Sequence, residues 1–383
     1  MDDIIVVPPG MICTAEQYNR TLNNDATIHC LSRGESIGLT IIAETGLLSL
    51  LSVVFVFIII FRNVVMHIRH APAGKFSMVQ EPMDILMLSL FIGDFIQALG
   101  AVMDIKWINE GTVQIGNFCA AQGVIQQLGE TGVAMTTLLI AIYTFIGVWW
   151  RIGMGVSSVR VAKVMVCLVW LFVLLMIVIG NATHSDKHEL FESPTPYWCW
   201  LGQNYLQFRI WGEYFWFWIT LAFSVFAYTL LFLWSRGNIT LDEYSWWKFS
   251  IHRSSKFDVN NRNRLQSLIM LAYPIVYSIL ILPLSVVRWI GFVQERGGGT
   301  NTISASATMA VTSIYGLSGA LNVVLLLTTR PNSILFGRST CAPSRKPTVP
   351  LATYKTNSVN DTDGGDPSSD LGRLPSRSSA GWG

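Results

Sequence analysis

The chain has 383 residues, of which 51% are hydrophobic and 13% charged, with a formal net charge of +2. Soluble globular chains carry about 25% charged residues, so this composition excludes an ordinary soluble domain and indicates a protein with several membrane spans. No basic stripe interleaved with base-stacking aromatic residues lies outside the apolar segments, and nucleic-acid binding is therefore not expected.

Seven apolar segments are each long enough to cross a bilayer, which requires about 20 residues of helix. We therefore predict an all-α membrane protein in which a seven-transmembrane helix bundle occupies residues 37–328, after an N-terminal segment of residues 1–36. The predicted spans are residues 37–61, 85–105, 119–149, 164–181, 208–234, 265–292 and 303–328.

Lysine and arginine residues concentrate in the loops after spans one, three and five, which assigns these loops to the cytoplasm. The N-terminus is then outside, and residues 1–36 form an extracellular segment. Residues 329–338 are predicted to form a short helix on the inner leaflet. Residues 339–383 are rich in Ser, Thr, Pro, Asp and Gly, which predicts a disordered cytoplasmic tail. An arrestin-like protein or a kinase is a candidate partner of this tail.

Four cysteines, Cys13, Cys30, Cys119 and Cys199, face the oxidising side in this orientation. Cys119 begins span three and Cys199 lies in the second outer loop, so a disulfide between them would fasten that loop over the mouth of the bundle. Cys13 and Cys30 would then pair within the N-terminal segment; the alternative is that some of these thiols stay free. Asn19 begins an exposed glycosylation sequon in the same segment.

Span three carries Gln122, Gln126 and Glu130 at i, i+4 and i+8, which places all three on one face of a helix. Polar groups at membrane depth are energetically costly, so this face should look into the bundle or a cavity rather than at lipid. Gly129 and Gly132 flank the carboxylate and allow a neighbouring helix to approach closely. We therefore predict that span three is a long central helix with a buried polar stripe.

Other spans also contain charged residues within the membrane. An outer cavity with several carboxylates and one guanidinium would suit a polar or hydroxylated ligand. The alternative is an internal ionic network in which Arg209 pairs with Glu213 at i, i+4. The candidate ligand-binding residues are Glu44, Asp104, Gln122, Gln126, Glu130, Trp200, Glu213 and Arg288.

Span six contains Pro274 and Pro283, which interrupt the backbone hydrogen bonds of a helix. This span is therefore a candidate bending element, although static kinks are an alternative. Asn322 of span seven is expected to reach Asp94 of span two, directly or through water. These four residues are the candidates for an activation network that converts an outer event into inner movement.

The six histidines all lie outside the spans, so neither a buried histidine metal site nor a metal-dependent membrane hydrolase is expected. We predict no enzymatic activity, no catalytic residue and no cofactor. The rival class is a transporter or channel that uses the polar face as a path for a small polar solute.

Two segments, Leu88–Gln97 and Phe118–Gly132, resemble fungal nutrient-sensing G-protein-coupled receptors of the glucose-receptor-like and cAMP-receptor-like groups. The outer disulfide, the positive inner loops and the proline-bearing sixth span resemble seven-transmembrane G-protein-coupled receptors in general. The resemblance implies a multi-pass plasma-membrane receptor for an extracellular nutrient or small polar ligand. It also implies activation of a heterotrimeric G protein, in cAMP signalling.

The inner ends of spans three and seven depart from rhodopsin-like receptors. The acid-Arg-aromatic triplet is replaced by VWWR at residues 148–151, and Asn322 is followed by Val323 where that class has proline. Details of the rhodopsin-like switch are therefore not carried over. The candidate G-protein contacts are Arg151, Arg262 and Arg264.

Overall fold

A computed structural model describes residues 7–23, 25–70, 81–149, 156–183, 191–195, 197–235, 239–241, 249–251, 272–296, 303–329 and 335–336. All of them belong to one structural unit, Met1–Ser339. The second unit, Thr340–Gly383, which holds nearly all of the predicted tail, lies outside the described residues.

Seven helices in the described part of the chain are long and apolar enough to cross a membrane, which confirms the predicted bundle. A shorter helix, α1, precedes them at Ala15–Leu22. The spans are Arg33–His70 (one), Pro82–Val102 with Asp104–Glu110 (two), Asn117–Trp149 (three), Val156–Thr183 (four), Leu206–Arg209 with Ile210–Tyr214 and Phe215–Ser235 (five), Ala272–Arg296 (six), and Ala305–Gly316 with Ser318–Thr329 (seven).

Span three is the central helix, as predicted. The bundle buries 61% of its membrane window, against 22% for span four, which therefore lies at the periphery. Gly129 faces the backbone of Gln97 in span two so closely that a Cβ at this position would overlap it. The missing side chain thus allows spans two and three to pack at backbone contact, as expected for small residues between membrane helices.

In the described part of the chain, six short strands form three antiparallel two-stranded sheets, which the prediction of an all-helical bundle did not include. Two of them, β1–β2 and β3–β4, lie in the outer segments, and β5–β6 follows span five. The strands are β1 Ile28–Cys30, β2 Thr112–Gln114, β3 Glu192–Pro194, β4 Cys199–Leu201, β5 Ile239–Leu241 and β6 Phe249–Ile251.

Span one begins at Arg33 rather than at the predicted residue 37. The Ser32 backbone N–H donates to Glu35 Oε2 at 2.7 Å, and the Glu35 backbone N–H donates to Ser32 Oγ at 3.4 Å. This reciprocal pair is a capping box, which satisfies orphan donors at the helix start. The predicted boundary was wrong because a polar capping pair, rather than the first apolar residue, sets the beginning of the helix.

Both predicted disulfides are present. Cys13 joins Cys30 of β1 with their Cα atoms 6.0 Å apart, which closes a loop within the N-terminal segment next to the strand that pairs with β2. Cys119 at the start of span three joins Cys199 of β4, with a Cα separation of 5.1 Å. Cys167 is a free, exposed cysteine. The second disulfide fastens the β3–β4 hairpin to the central helix.

Three spans contain local irregularities. Span two breaks at Met103, span five contains a π-helical turn at Ile210–Tyr214, and span seven breaks at Leu317. The Gly212 carbonyl in the π turn accepts a hydrogen bond from Thr131 Oγ1 at 3.3 Å. Such turns recur at functional sites in helices.

The inner end of the bundle is described only in part. Leu335 and Phe336 form a turn and are buried, with the Leu335 carbonyl accepting from Asn63 Nδ2 at 2.9 Å and the Phe336 ring centroid 6.0 Å from that of Phe91. These two residues therefore pack into the bundle. The rest of the predicted inner helix after residue 329 lies outside the described residues, as do Arg151, Arg262 and Arg264.

Candidate ligand-binding site

Gln122 connects the outer ends of spans two and three to the β3–β4 hairpin. Its Oε1 accepts from Trp107 Nε1 at 2.7 Å and from the Cys199 backbone N–H at 3.2 Å. Its Nε2 donates to Asp104 Oδ1 at 2.6 Å and to the Gly100 carbonyl at 3.4 Å. Since its amide is used by the protein and the side chain is fully buried, Gln122 holds the site together and is not placed to contact a ligand.

Two adjoining cavities lie below this junction, and each offers about 20 Å³ to water-sized molecules. The first, here the span-two cavity, follows span two from Asp104 to Asp94. The second, here the arginine cavity, contains Glu213 and Arg288. Five residues line both cavities and mark the boundary between them: Gln126, Glu130, Trp198, Thr312 and Tyr315.

At the deep end of the span-two cavity, Asp94 Oδ2 accepts a hydrogen bond of 2.8 Å from Asn322 Nδ2. Both side chains are buried, so a direct bond joins spans two and seven in the core of the bundle. Gln97, one helical turn above Asp94, donates from Nε2 to Ser318 Oγ at 3.3 Å, next to the break in span seven. The predicted contact between Asp94 and Asn322 is thus direct.

Two tryptophans of the second outer loop close the arginine cavity. Trp200 Nε1 donates to Glu213 Oε2 at 3.0 Å. The Arg288 guanidinium lies 5.0 Å from the ring centroid of Trp198 and 5.4 Å from that of Trp200, within cation–π range. The hairpin therefore contacts span five through a hydrogen bond and span six through the arginine.

Arg209 belongs to the same cluster, although not in the predicted manner. Its Nε donates to the Leu201 carbonyl at 2.9 Å, and its guanidinium lies 4.8 Å from the Trp200 ring centroid. The π turn that begins at Ile210 changes the helical register between Arg209 and Glu213, so the i, i+4 spacing of an ideal α-helix does not hold here. Trp200 consequently contacts two guanidinium groups.

Several buried oxygen atoms in the cavities have no hydrogen-bond donor among the described residues. Buried polar groups are normally satisfied, and an unpaired one costs roughly 1–3 kcal/mol, so these atoms mark positions for water or a ligand. They are Asp94 Oδ1, Gln97 Oε1, Asp104 Oδ2, Gln126 Oε1 and Glu213 Oε1.

Glu44 does not belong to this group. Its side chain is exposed on span one, and neither cavity, as lined by the described residues, includes it. The sequence identified Glu44 as a charged residue within a span but could not fix its direction around the helix. Pro283 lies inside span six, five residues before Arg288, whereas Pro274 is the third residue of the described part of that span.

Outside the spans, Glu192 of β3 supports the position of the hairpin. Its Oε1 accepts from Asn181 Nδ2 at 2.7 Å at the end of span four. Burial raises the pKa of Glu192, and the Asn181 hydrogen bond opposes that shift. Its methylenes pack where a Cβ on Gly123 would collide with them, which lets the hairpin lie directly on span three.

Among the residues that line both cavities, the sequence missed three that have no charge: Trp198, Thr312 and Tyr315. Trp198 precedes a disulfide cysteine, and this position was the available signal. The hydroxyls of span seven were visible as a group, but no periodicity distinguished Thr312 from the others.

Seven spans, a disulfide-fastened outer hairpin and a buried polar cavity beneath it define a seven-transmembrane receptor. The family described as 7 transmembrane receptor (rhodopsin family) matches residues 74–322, and the chain belongs to this family. No curated protein matches the chain. Membership makes it a G-protein-coupled receptor with an extracellular ligand, which confirms the class predicted from the sequence.

Proposed function

We propose that this receptor resides in the plasma membrane and senses an extracellular nutrient or another small polar ligand. The observation that carries this proposal is the pair of adjoining cavities below the β3–β4 hairpin, where unpaired carboxylate and amide oxygens lie near one arginine. A few polar groups that converge in a cavity are the usual basis of specific small-molecule recognition. The proposed ligand contacts are Asp104, Gln126, Glu130, Trp200, Glu213 and Arg288.

Span six is the proposed route from ligand to G protein. Arg288 contacts both tryptophans of the hairpin, and Pro283 interrupts the same helix about one and a half turns deeper. If span six can adopt a second position, a ligand that binds Arg288 better in one of the two positions shifts the equilibrium towards it. The Asp94–Asn322 bond and the break at Leu317 give span seven a second point of adjustment.

The intracellular side of the proposal follows from the sequence resemblance to fungal nutrient-sensing receptors. It assigns coupling to cAMP signalling, G-protein contact to Arg151, Arg262 and Arg264, and arrestin-like or kinase binding to the tail from residue 339. Asn19 is the proposed glycosylation site. It lies in α1, where Nδ2 of Asn23 donates to its Oδ1 at 3.2 Å.

The test is GTP exchange on co-reconstituted Gα subunits, with sugars, amino acids, amines and cyclic nucleotides added from the extracellular side. Ligand-dependent exchange without solute flux supports the receptor. Flux of a small polar solute through proteoliposomes, with no exchange on several Gα subunits, would favour the transporter or channel instead.

A further inference from the structure

The two cavities contain more hydrogen-bond acceptors than donors. Five buried oxygens have no donor among the described residues, and three of them belong to carboxylates. On the donor side, Arg288 Nε and the hydroxyls of Thr312 and Tyr315 have no partner there. A hydroxyl both donates and accepts, so Arg288 alone is a pure donor. The site therefore lacks hydrogen-bond donors. A neutral polyol brings acceptors along with its donors, and an anion brings mainly acceptors, so neither would correct this imbalance.

The charged residues that line the cavities also favour a cationic ligand. Asp104, Glu130 and Glu213 line the cavities above Asp94, and Arg288 is the cation that lines them. Together with Asp94, four carboxyl groups therefore line the two cavities against one guanidinium, an excess of three acidic groups. Asp104 and Glu213 are each 1% exposed, so their charge is not screened by bulk water. A ligand carrying two positive charges would offset most of this excess and would favour the ionised form of the carboxyl groups that it contacts.

The carboxylates occur at two levels. The hydrogen bond from Gln122 places Asp104 level with the outer turn of span three. Glu130 lies eight residues after Gln122 in span three, about 12 Å deeper along the helix axis. Trp198 and Tyr315 provide aromatic walls shared by the two cavities. Each cavity has room for a water-sized group, and an ammonium group is of that size.

We propose that the two cavities together bind a linear aliphatic diamine in its doubly protonated form. One ammonium group donates to Asp104 and Gln126, and the other donates to Glu130 and Glu213. The methylene chain packs along Trp198 and Tyr315. The cavities must widen to admit this chain. This inference rests on the receptor function proposed above, because it names the ligand class of the same site.

The first test compares probes on the wild-type receptor in nanodiscs by isothermal titration. Putrescine or cadaverine should bind at least about ten-fold more tightly than butylamine, which supplies one ammonium, and than ethylenediamine, which is too short. Butanediol, of matched length without charge, should not bind. Equal affinity for butylamine and putrescine, equal affinity for butanediol, or no binding of any diamine to the folded receptor would overturn the proposal.

Variants then locate the two ammonium groups. Asp104→Asn and Glu130→Gln should each weaken putrescine binding by about ten-fold or more, because each removes one charge partner. Glu44→Gln, which changes an exposed carboxylate of span one outside both cavities, should leave it unchanged. Uniform affinity across these variants would overturn the assignment, and the probe series on the wild type decides the matter if a variant fails to fold.

Gα exchange in the same nanodiscs separates this inference from the receptor function. Basal or ligand-driven exchange by a receptor that binds no diamine would overturn the diamine site and leave the receptor function standing. Diamine binding with no exchange on any Gα would support the site and contradict the receptor function.

Discussion

The indole of Trp200 donates a 3.0 Å hydrogen bond to Glu213, a carboxylate that is 1% exposed within span five. Strand β4 of the second outer loop therefore reaches a buried carboxyl group in the bundle. Because the neighbouring Cys199 is bonded to Cys119, the same loop is anchored to spans three and five at once. A ligand that separates Trp200 from Glu213 changes the contact between these spans.

Trp200→Phe should destabilise the receptor by about 1–3 kcal/mol, because it keeps an aromatic ring but leaves Glu213 Oε2 without its donor. Thermal unfolding in nanodiscs measures this change. The matched control is Trp211→Phe, at an exposed tryptophan of the same span, which should leave the unfolding temperature almost unaltered. Similar losses in both variants would argue that the hydrogen bond contributes nothing specific.

Asn322→Ala should lower the free energy of unfolding by about 1–3 kcal/mol, because the buried Asp94 Oδ2 would lose the hydrogen bond from Asn322 Nδ2. The exchange variant Asp94→Asn with Asn322→Asp restores an amide–carboxylate pair and should recover most of the loss. A double-mutant cycle on unfolding temperature and on basal Gα exchange tests this coupling. Strictly additive effects would show that the two side chains act independently.

Cys119→Ala or Cys199→Ala should reduce surface expression strongly, since the disulfide closes 80 residues of chain and such bridges contribute about 2–5 kcal/mol. Cys167→Ala removes a free, exposed cysteine and should express normally. Full surface expression and signalling in the Cys199→Ala variant would contradict the structural role given to the bridge.

Glu192→Gln should raise the unfolding temperature at neutral pH. Burial raises the pKa of Glu192 in the folded state, so the stability contributed by its protonated form is present at low pH and is lost as the pH rises through that pKa. Glutamine keeps an oxygen for Asn181 without the charge. The difference from the wild type should shrink on acidification towards the ordinary carboxyl range; a difference independent of pH would refute the assignment.

Hydropathy and composition predicted the seven spans because each must bury its backbone polar groups in a helix across the bilayer. The i, i+4, i+8 spacing likewise identified Gln126 and Glu130 as interior residues. The hydrogen-bond partners of the residues on this face could not be predicted from the spacing. Gln122 has the same spacing, yet its bonds to Trp107 and the Cys199 backbone depend on two loops that sequence periodicity does not describe.

Errors of direction have a similar origin. Glu44 was a candidate because charged residues within spans are costly. A single residue does not show which side of the helix faces the bundle, and Glu44 lies on the exposed side. Arg209 and Glu213 have helical spacing, yet the π turn between them changes their register. The disulfides, by contrast, followed from compartment and topology, which do not require a known register.

The most direct test of the proposed site compares Glu130→Gln with Glu44→Gln at equal surface expression. The measurement is the ligand-response curve for Gα exchange. Both changes neutralise a carboxylate in a span, but only Glu130 lines the cavities. We predict at least a ten-fold loss of ligand potency, or roughly 1.4 kcal/mol, for Glu130→Gln and an unchanged curve for Glu44→Gln. Superimposable curves for the wild type and both variants would contradict ligand binding in the cavities below the hairpin.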